Sequence, residues 1–258
     1  MGQLIVEQIP VLKDNYIYLL REPEAGAVAA VDPAVAPPVL ARLEALGWRL
    51  THILNTHHHG DHTGANLELK AVTGCTIVGP RADQARIPGI DVMVGDGDRY
   101  ALGAAEAQVF DVPGHTSGHI AFWFPESEAL FCGDTLFALG CGRLFEGTPA
   151  QMWSSLGKLR RLPDPTRVYC AHEYTESNAR FALTVEPGNP ALVARAAAVK
   201  AARARGQPTV PSTMGAERAT NPVLRAEVDG VGVGAGLVAG ARDPVAVFAA
   251  IRRAKDSF

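Results

Sequence analysis

The sequence predicts an α/β chain in which two packed sheets carry helices on their outer faces, followed by a smaller all-helical region. Three observations lead there. The first two-thirds holds many short runs rich in β-branched and aromatic residues, bounded by Gly, Pro and Asp. A few helix-spaced segments interrupt those runs. Beyond "RVYCAHEY" the β runs stop and Ala-rich, helix-spaced sequence takes over. The change sets an expected boundary near residue 173, dividing the chain into 1–173 and 174–258.

Taken in order, "QLIVEQI", "YIYLL", "AVAAVD", "HILNTH", "CTIVGP", "AQVFDVPG", "HIAFWF" and "ALFCGD" read as strands. Between them, 37–46 ("PPVLARLEAL") and 65–73 ("ANLELKAVT") have helical spacing. A third helix opens at "TPAQMW", where Thr148 caps, Pro149 suits the first helical position and Gln151 completes a capping box. From Thr175 the pattern is helical, with an Ala-rich stretch at 190–205 and a last helix from Pro244, capped by Asp243. The Gly- and Pro-bearing segment 206–243 yields no assignment.

Composition narrows the function classes. A length of 258 residues supports a sizeable core, and 47% hydrophobic with 20% charged residues is ordinary for a globular protein. A formal charge of −3 argues against nucleic acid as a bulk electrostatic partner. No basic region precedes an apolar run at the N-terminus, and no segment approaches the ~20 apolar residues of a membrane span. Cys75, Cys132, Cys141 and Cys170 form no C-x-x-C pair and read as buried thiols. The expectation is a cytoplasmic monomer that acts on a small molecule, with no nucleic acid or membrane partner.

The chemistry concentrates in "THHHGDH", residues 56–62, which holds four histidines and one aspartate. In an extended backbone, residues two apart point the same way. His57 and His59 therefore converge on one ion while His58 faces away. Asp61 and His62, past a glycine, are placed for a second ion. Further donors end other predicted strands: His115 in "PGHTSGH", Asp134 after "ALFCG" and His172 after "RVYCA". Seven ligands exceed the four that satisfy one zinc. The expected site has His57, His59 and His115 on one metal and Asp61, His62 and His172 on the other. The two oxygens of Asp134 are shared between them. His52, His58 and His119 are expected to be structural. Imidazole and carboxylate ligands suit zinc first, and iron or manganese as well.

The H-x-H-x-D-H pattern of His57, His59, Asp61 and His62 resembles the metallo-β-lactamase superfamily. "THHHGDHTGAN", "GHTSGH", "CGDTLF", "GCGRLFEGT", "YCAHEYT", "VEPGN", "PTVPST" and the ending "RRAKDSF" extend the resemblance over nearly the whole chain, to the glyoxalase II branch. That resemblance implies a four-layer αββα sandwich followed by a helical domain. It also implies hydrolysis of S-D-lactoylglutathione to glutathione and D-lactate, the second step of methylglyoxal detoxification. By the same resemblance Arg143, Tyr174, Arg252 and Lys255 hold glutathione, the last two gripping its glycine carboxylate. Phe145 stands where some relatives carry tyrosine, and Gly60 where some carry a bulky residue.

The constellation suits a thioester. Two divalent ions ~3.5–4 Å apart lower the pKa of a bridging water enough to supply hydroxide at neutral pH. Asp134 is the residue expected to orient it or accept its proton. A thiol leaving group with a pKa of about 8.5 departs without a strong general acid, so Glu173, beside His172, is expected to be structural. The alternative is a glutathione persulfide dioxygenase of the same fold with a single iron, which has no need of Asp61, His62 and His172. Arg252, Arg253 and Lys255 lie in the last turn of a helix, where the macrodipole favours cations in any case. Arg253 is rotated ~100° from Arg252 and is expected to face elsewhere.

Overall fold

The histidine-rich segment follows directly on a short parallel strand at the middle of a six-stranded sheet. Its strands are β1 (Ile5–Val11), β2 (Asn15–Arg21), β3 (Val28–Val31), β4 (His52–Leu54), β5 (Thr76–Pro80) and β6 (Val92–Val94), side by side in that order. The first three run antiparallel, and β3 to β6 run parallel. Helix α1 (Ala36–Leu46) makes the β3–β4 crossover; a short α2 (Gly60–Thr63) and α3 (Asn66–Thr73) lie between β4 and β5. The computed structural model describes residues 3–232, 236–237 and 243–258.

Alternation along β2 shows how the sheet is covered. Ile17 and Leu19 join Val39 and Leu43 of α1 and Leu69 of α3 in one buried cluster. The intervening Tyr18 packs on Phe131, ring centroids 5.6 Å apart. Phe131 belongs to a second, antiparallel set of strands: β7 (Arg99–Leu102), β8 (Ala105–Asp111), β9 (Ile120–Phe124) and β10 (Ala129–Gly133). Sheet therefore packs on sheet with helices outside the first, and β2, covered on both faces, reads as a continuous apolar run. These elements form one compact unit, Met1–Asp111 with Thr116–Gly133.

The second unit, Val112–His115 with Asp134–Phe258, holds a two-strand hairpin, β11 (Leu136–Phe137) and β12 (Gly140–Cys141). Helix α4 (Pro149–Leu159) starts with both hydrogen bonds of the Thr148–Gln151 capping box in place, as the sequence predicts. There follow β13 (Arg167–Cys170), α5 (Thr175–Val185), α6 (Pro190–Ala204), β14 (Ser212–Thr213), α7 (Met214–Thr220) and α8 (Pro244–Asp256). Helices α5 and α6 meet through Ala179, Ala182 and Leu192. Trp153 of α4 lies against Phe248 of α8, centroids 6.1 Å apart. Fully buried Glu217 of α7 accepts from Leu139 N and Asn221 Nδ2 and pairs with Arg195 of α6.

The expected helices lie where the spacing puts them. Asp243 caps α8 by accepting from Val245 N. The departures are short elements: β6, β7, β11, β12, β14, α2 and α7 lie outside the sequence expectation, because two to seven residues carry too little periodicity of their own. Residues 233–235 and 238–242, within the unassigned 206–243 stretch, lie outside the described residues.

Candidate metal centre

"HILNTH" is strand only to Leu54; the chain then turns, and His59 becomes the residue before α2. Gly60 sits inside that short helix with open space where a Cβ would point, so a larger residue fits there. A left-handed glycine turn is thus not what separates the two donor pairs. One turn of helix separates them, with Asp61 and His62 on it.

The parallel β3–β4 ladder sets Asp32 beside the histidine loop. Asp32 N–H donates to Leu54 O, and the buried carboxylate accepts from Thr56 N–H at 2.7 Å and from Thr56 Oγ1 at 2.7 Å. Its Oδ2 also lies 3.1 Å from His62 Nδ1. Thr56 Oγ1, its proton turned to Asp32, accepts from His57 Nδ1 at 3.1 Å. One carboxylate thereby fixes two imidazoles with Nδ1 protonated and the Nε2 lone pair directed away, the tautomer a metal ligand needs. Asn15 does the same service for Asp61, donating to its Oδ2 at 3.0 Å.

Sequence reading missed Asp32 and Asn15. The signal for Asp32 was present: it ends the strand predicted just before "HILNTH", and adjacent parallel strands end side by side. Gly133 is required by close approach: with φ +47 and a Cβ position 2.3 Å from Thr56 Oγ1, no side chain fits.

The second unit supplies the later donors. His115 Nδ1 donates to Arg143 O at 2.8 Å, leaving Nε2 3.3 Å from Asp134 Oδ2. Asp134 Oδ1 is 3.4 Å from His172 Nε2. Within the first unit, His57 Nε2 and His59 Nδ1 are 3.1 Å apart, and His62 Nε2 and Asp61 Oδ2 are 3.7 Å apart. Ligand atoms on a tetrahedral ion with bonds of 2.0–2.1 Å are separated by about 3.4 Å. Within the first unit, donor atoms of Asp32, His57 and His62 lie within 4.8 Å of one another. The donors of both units, all nitrogen and carboxylate oxygen without thiolate, fit divalent zinc, iron or manganese.

Of the expected structural histidines, His119 stacks on His57 at 4.5 Å and His58 turns to Asp83. Glu173 accepts from Thr209 N and Oγ1 at 2.8 and 2.6 Å and is tied to that loop.

The four residues expected to hold substrate all lie in the second unit. Tyr174 stacks parallel on His172, centroids 4.8 Å apart. Phe145 is 64% exposed and meets His115 edge-on. Arg143 is exposed, its Nε 3.8 Å from Asp256. Arg252 is buried, donating to Cys141 O at 2.7 Å and to Asp256 at 3.0 Å. Lys255 donates to Ser177 O and Oγ, flanked by Phe181 and Phe258. Burial, helped by nearby Arg252, Arg180 and Arg143, pulls its ammonium down to a pKa of about 8.

Comparison with known proteins decides the family. Residues 14–172 match the model of the metallo-β-lactamase superfamily, and residues 173–258 match that of the hydroxyacylglutathione hydrolase C-terminus. A hydroxyacylglutathione hydrolase of Methylococcus capsulatus is 63% identical over 99% of both chains. The chain belongs to the hydroxyacylglutathione hydrolases. Another member, from Rhodospirillum rubrum, is 58% identical over the full length of both chains. The fold is accordingly the metallo-β-lactamase fold with a helical C-terminal domain, as the sequence predicts. Among solved structures it resembles that of ETHE1 from Myxococcus xanthus, with a TM-score of 0.67 and 24% identity over 98% of this chain and 99% of that one. It also resembles TTHA1623 in a di-iron-bound form, with a TM-score of 0.54 and 30% identity over 65% of this chain and 91% of that one. This member of the hydrolase family is an enzyme with His/Asp groups suited to a binuclear divalent metal site. Among the described residues no helix is long and apolar enough to cross a membrane.

Proposed function

We propose that the chain hydrolyses S-D-lactoylglutathione and related 2-hydroxyacyl glutathione thioesters to glutathione and D-lactate, as a cytoplasmic monomer. The observation that carries this reading is one chain holding the whole His/Asp donor set and matching hydroxyacylglutathione hydrolases end to end. In the proposed centre His57, His59 and His115 hold one cation, Asp61, His62 and His172 hold the other, and Asp134 touches both. Zinc is the favoured metal. Asp134 directs one oxygen toward His115 and the other toward His172, which supports the shared role.

Bound divalent ions supply a nucleophile at neutral pH and polarise the thioester carbonyl. Asp134 would orient that nucleophile or accept its proton. No strong acid is needed for the leaving thiolate, which agrees with Glu173 being engaged by Thr209. Arg143, Tyr174, Arg252 and Lys255 engage the glutathione portion. In this reading residues 1–173 carry the catalysis and residues 174–258 the glutathione-binding domain, with the boundary near residue 173. The single-iron dioxygenase reading leaves the Asp61, His62 and His172 group without a purpose.

The test is release of free thiol from S-D-lactoylglutathione by purified protein, with metal assayed on the same sample. Turnover with about two metals per chain supports the reading. One iron with oxygen consumption and no hydrolysis overturns it.

A further inference from the structure

His58 stands between two proposed ligands, yet both of its ring nitrogens are engaged on the other side. Nδ1 lies 3.0 Å from Asp83 Oδ2, and Nε2 lies 3.2 Å from Arg86 Nη1. Arg86 is always a donor, so Nε2 accepts and Nδ1–H donates to the carboxylate. Asp83 is almost wholly buried and also takes Arg86 on its other oxygen. Arg86 in turn donates to Ser117 Oγ at 2.9 Å. Gly118 comes so close that a Cβ there would sit 2.2 Å from the Asp83 carboxylate. Three segments thus meet at one buried acid: the histidine loop, the turn after β5, and the "TSG" loop that begins immediately after His115.

We infer that Asp83, acting through His58 and Arg86, is a positioning residue that clamps the loop bearing His57 and His59 to the loop that follows His115, and so sets the geometry of one metal subsite. The inference rests on the metal-centre reading given above. Asp83 touches neither metal nor substrate in this scheme. It keeps His58 in the Nδ1-protonated tautomer and turned outward, so that the backbone at 57–59 presents its neighbours inward. Partners that hydrogen-bond a ligating residue directly typically change metal affinity by about 10–100-fold; Asp83 acts one step further out, through the loop backbone, so the lower end of that range is expected. A purely structural ion pair in the 81–87 turn would change thermal stability and leave the metal subsite alone.

The experiment compares the unchanged chain with Asp83→Ala and Asp83→Asn. Each is loaded with Co2+, its visible absorption is recorded, and metal retention is titrated with a chelator. Expected for Asp83→Ala are about tenfold weaker retention of one of the two ions, an altered Co2+ band, and a lower kcat with KM nearly unchanged once metal is saturating. Asp83→Asn, which still accepts from His58, falls between the two. Retention and spectrum identical to the unchanged chain, with only a lower melting temperature, would overturn the inference. Where Asp83→Ala fails to fold, Arg86→Gln decides: it also weakens retention if the clamp exists, and unchanged retention refutes it. An unchanged chain that binds no metal sinks the metal-centre reading itself, whereas two ions held equally by all forms sinks only the role of Asp83.

Discussion

The histidine loop and the cationic end of α8 are both short, strongly patterned strings, but their surroundings differ. At the loop, His58 and His62 meet buried acids far away in sequence, Asp83 and Asp32, and His57 is tied to Asp32 through the Thr56 hydroxyl. These acids set tautomers and directions before any ion arrives. At the α8 end the cations hold neighbours of their own unit: Arg252 holds Cys141 O and Asp256, and Lys255 holds Ser177. Such contacts must be rearranged or shared when an anion binds. The loop is organised in advance for its ligand, and the helix end is only partly so. Damage to the loop should therefore abolish chemistry, and damage to the helix end should mainly weaken binding.

The largest effect tests the first half of that contrast. His59→Ala removes a proposed donor whose Nδ1 lies 3.1 Å from His57 Nε2. Thiol release should fall by about a hundred- to a thousandfold, the scale on which removal of a transition-state stabilising group acts, and metal content should drop. Full activity with unchanged metal content would remove His59 from the centre. Next in size is Asp32→Asn. Asp32 has φ 48, a left-handed conformation that asparagine tolerates, so the substitution tests hydrogen bonding without adding backbone strain. Asparagine has one acceptor oxygen, so it cannot take the Thr56 N–H on one side and the Thr56 hydroxyl with His62 Nδ1 on the other. Metal affinity measured by chelator competition should fall about 10–100-fold. A value within twofold of the parent would show that the tautomers are set some other way.

These two positions also mark what was legible in the sequence. His57, His59, Asp61 and His62 were readable because i, i+2 and one-turn spacings put donors together without help from the rest of the chain. His115, Asp134 and His172 were readable as strand ends. Asp32 and Asn15 were not found, because their partners His62 and Asp61 lie 30 and 46 residues away and only the β3–β4 pairing and the β2 start bring them near. In the fold, α1, α3, α4, α6 and α8 were legible from caps and periodicity. The strands β6 and β14, of three and two residues, take their register from neighbours and leave no pattern of their own. The basic string "RRAK" showed cations but not that the Arg252 guanidinium is buried against Cys141 O.

The smallest expected effects sharpen the second half of the contrast, and they come from nearby residues of one helix. Lys255 has its ammonium pKa lowered, first by burial and then by Arg252, Arg180 and Arg143, to about 8. If it grips a substrate carboxylate, KM should rise as pH passes upward through about 8, while kcat stays nearly level. Lys255→Gln should raise KM at pH 7 by about tenfold, the upper end for a half-exposed charged contact, and abolish that pH step. The stability effect has the opposite sign. From pH 8 up to the ordinary lysine value of 10.5 the unfolded chain keeps a proton that the folded chain has lost, so Lys255 contributes rising stability with pH in that window. Arg253, exposed and turned to another side of α8, provides the control. Arg253→Ala should leave KM and its pH profile within twofold of the parent. A tenfold rise in KM for Arg253→Ala would mean that the helix end binds through its general positive field, and the distinction between a directed grip and a charged surface would fall.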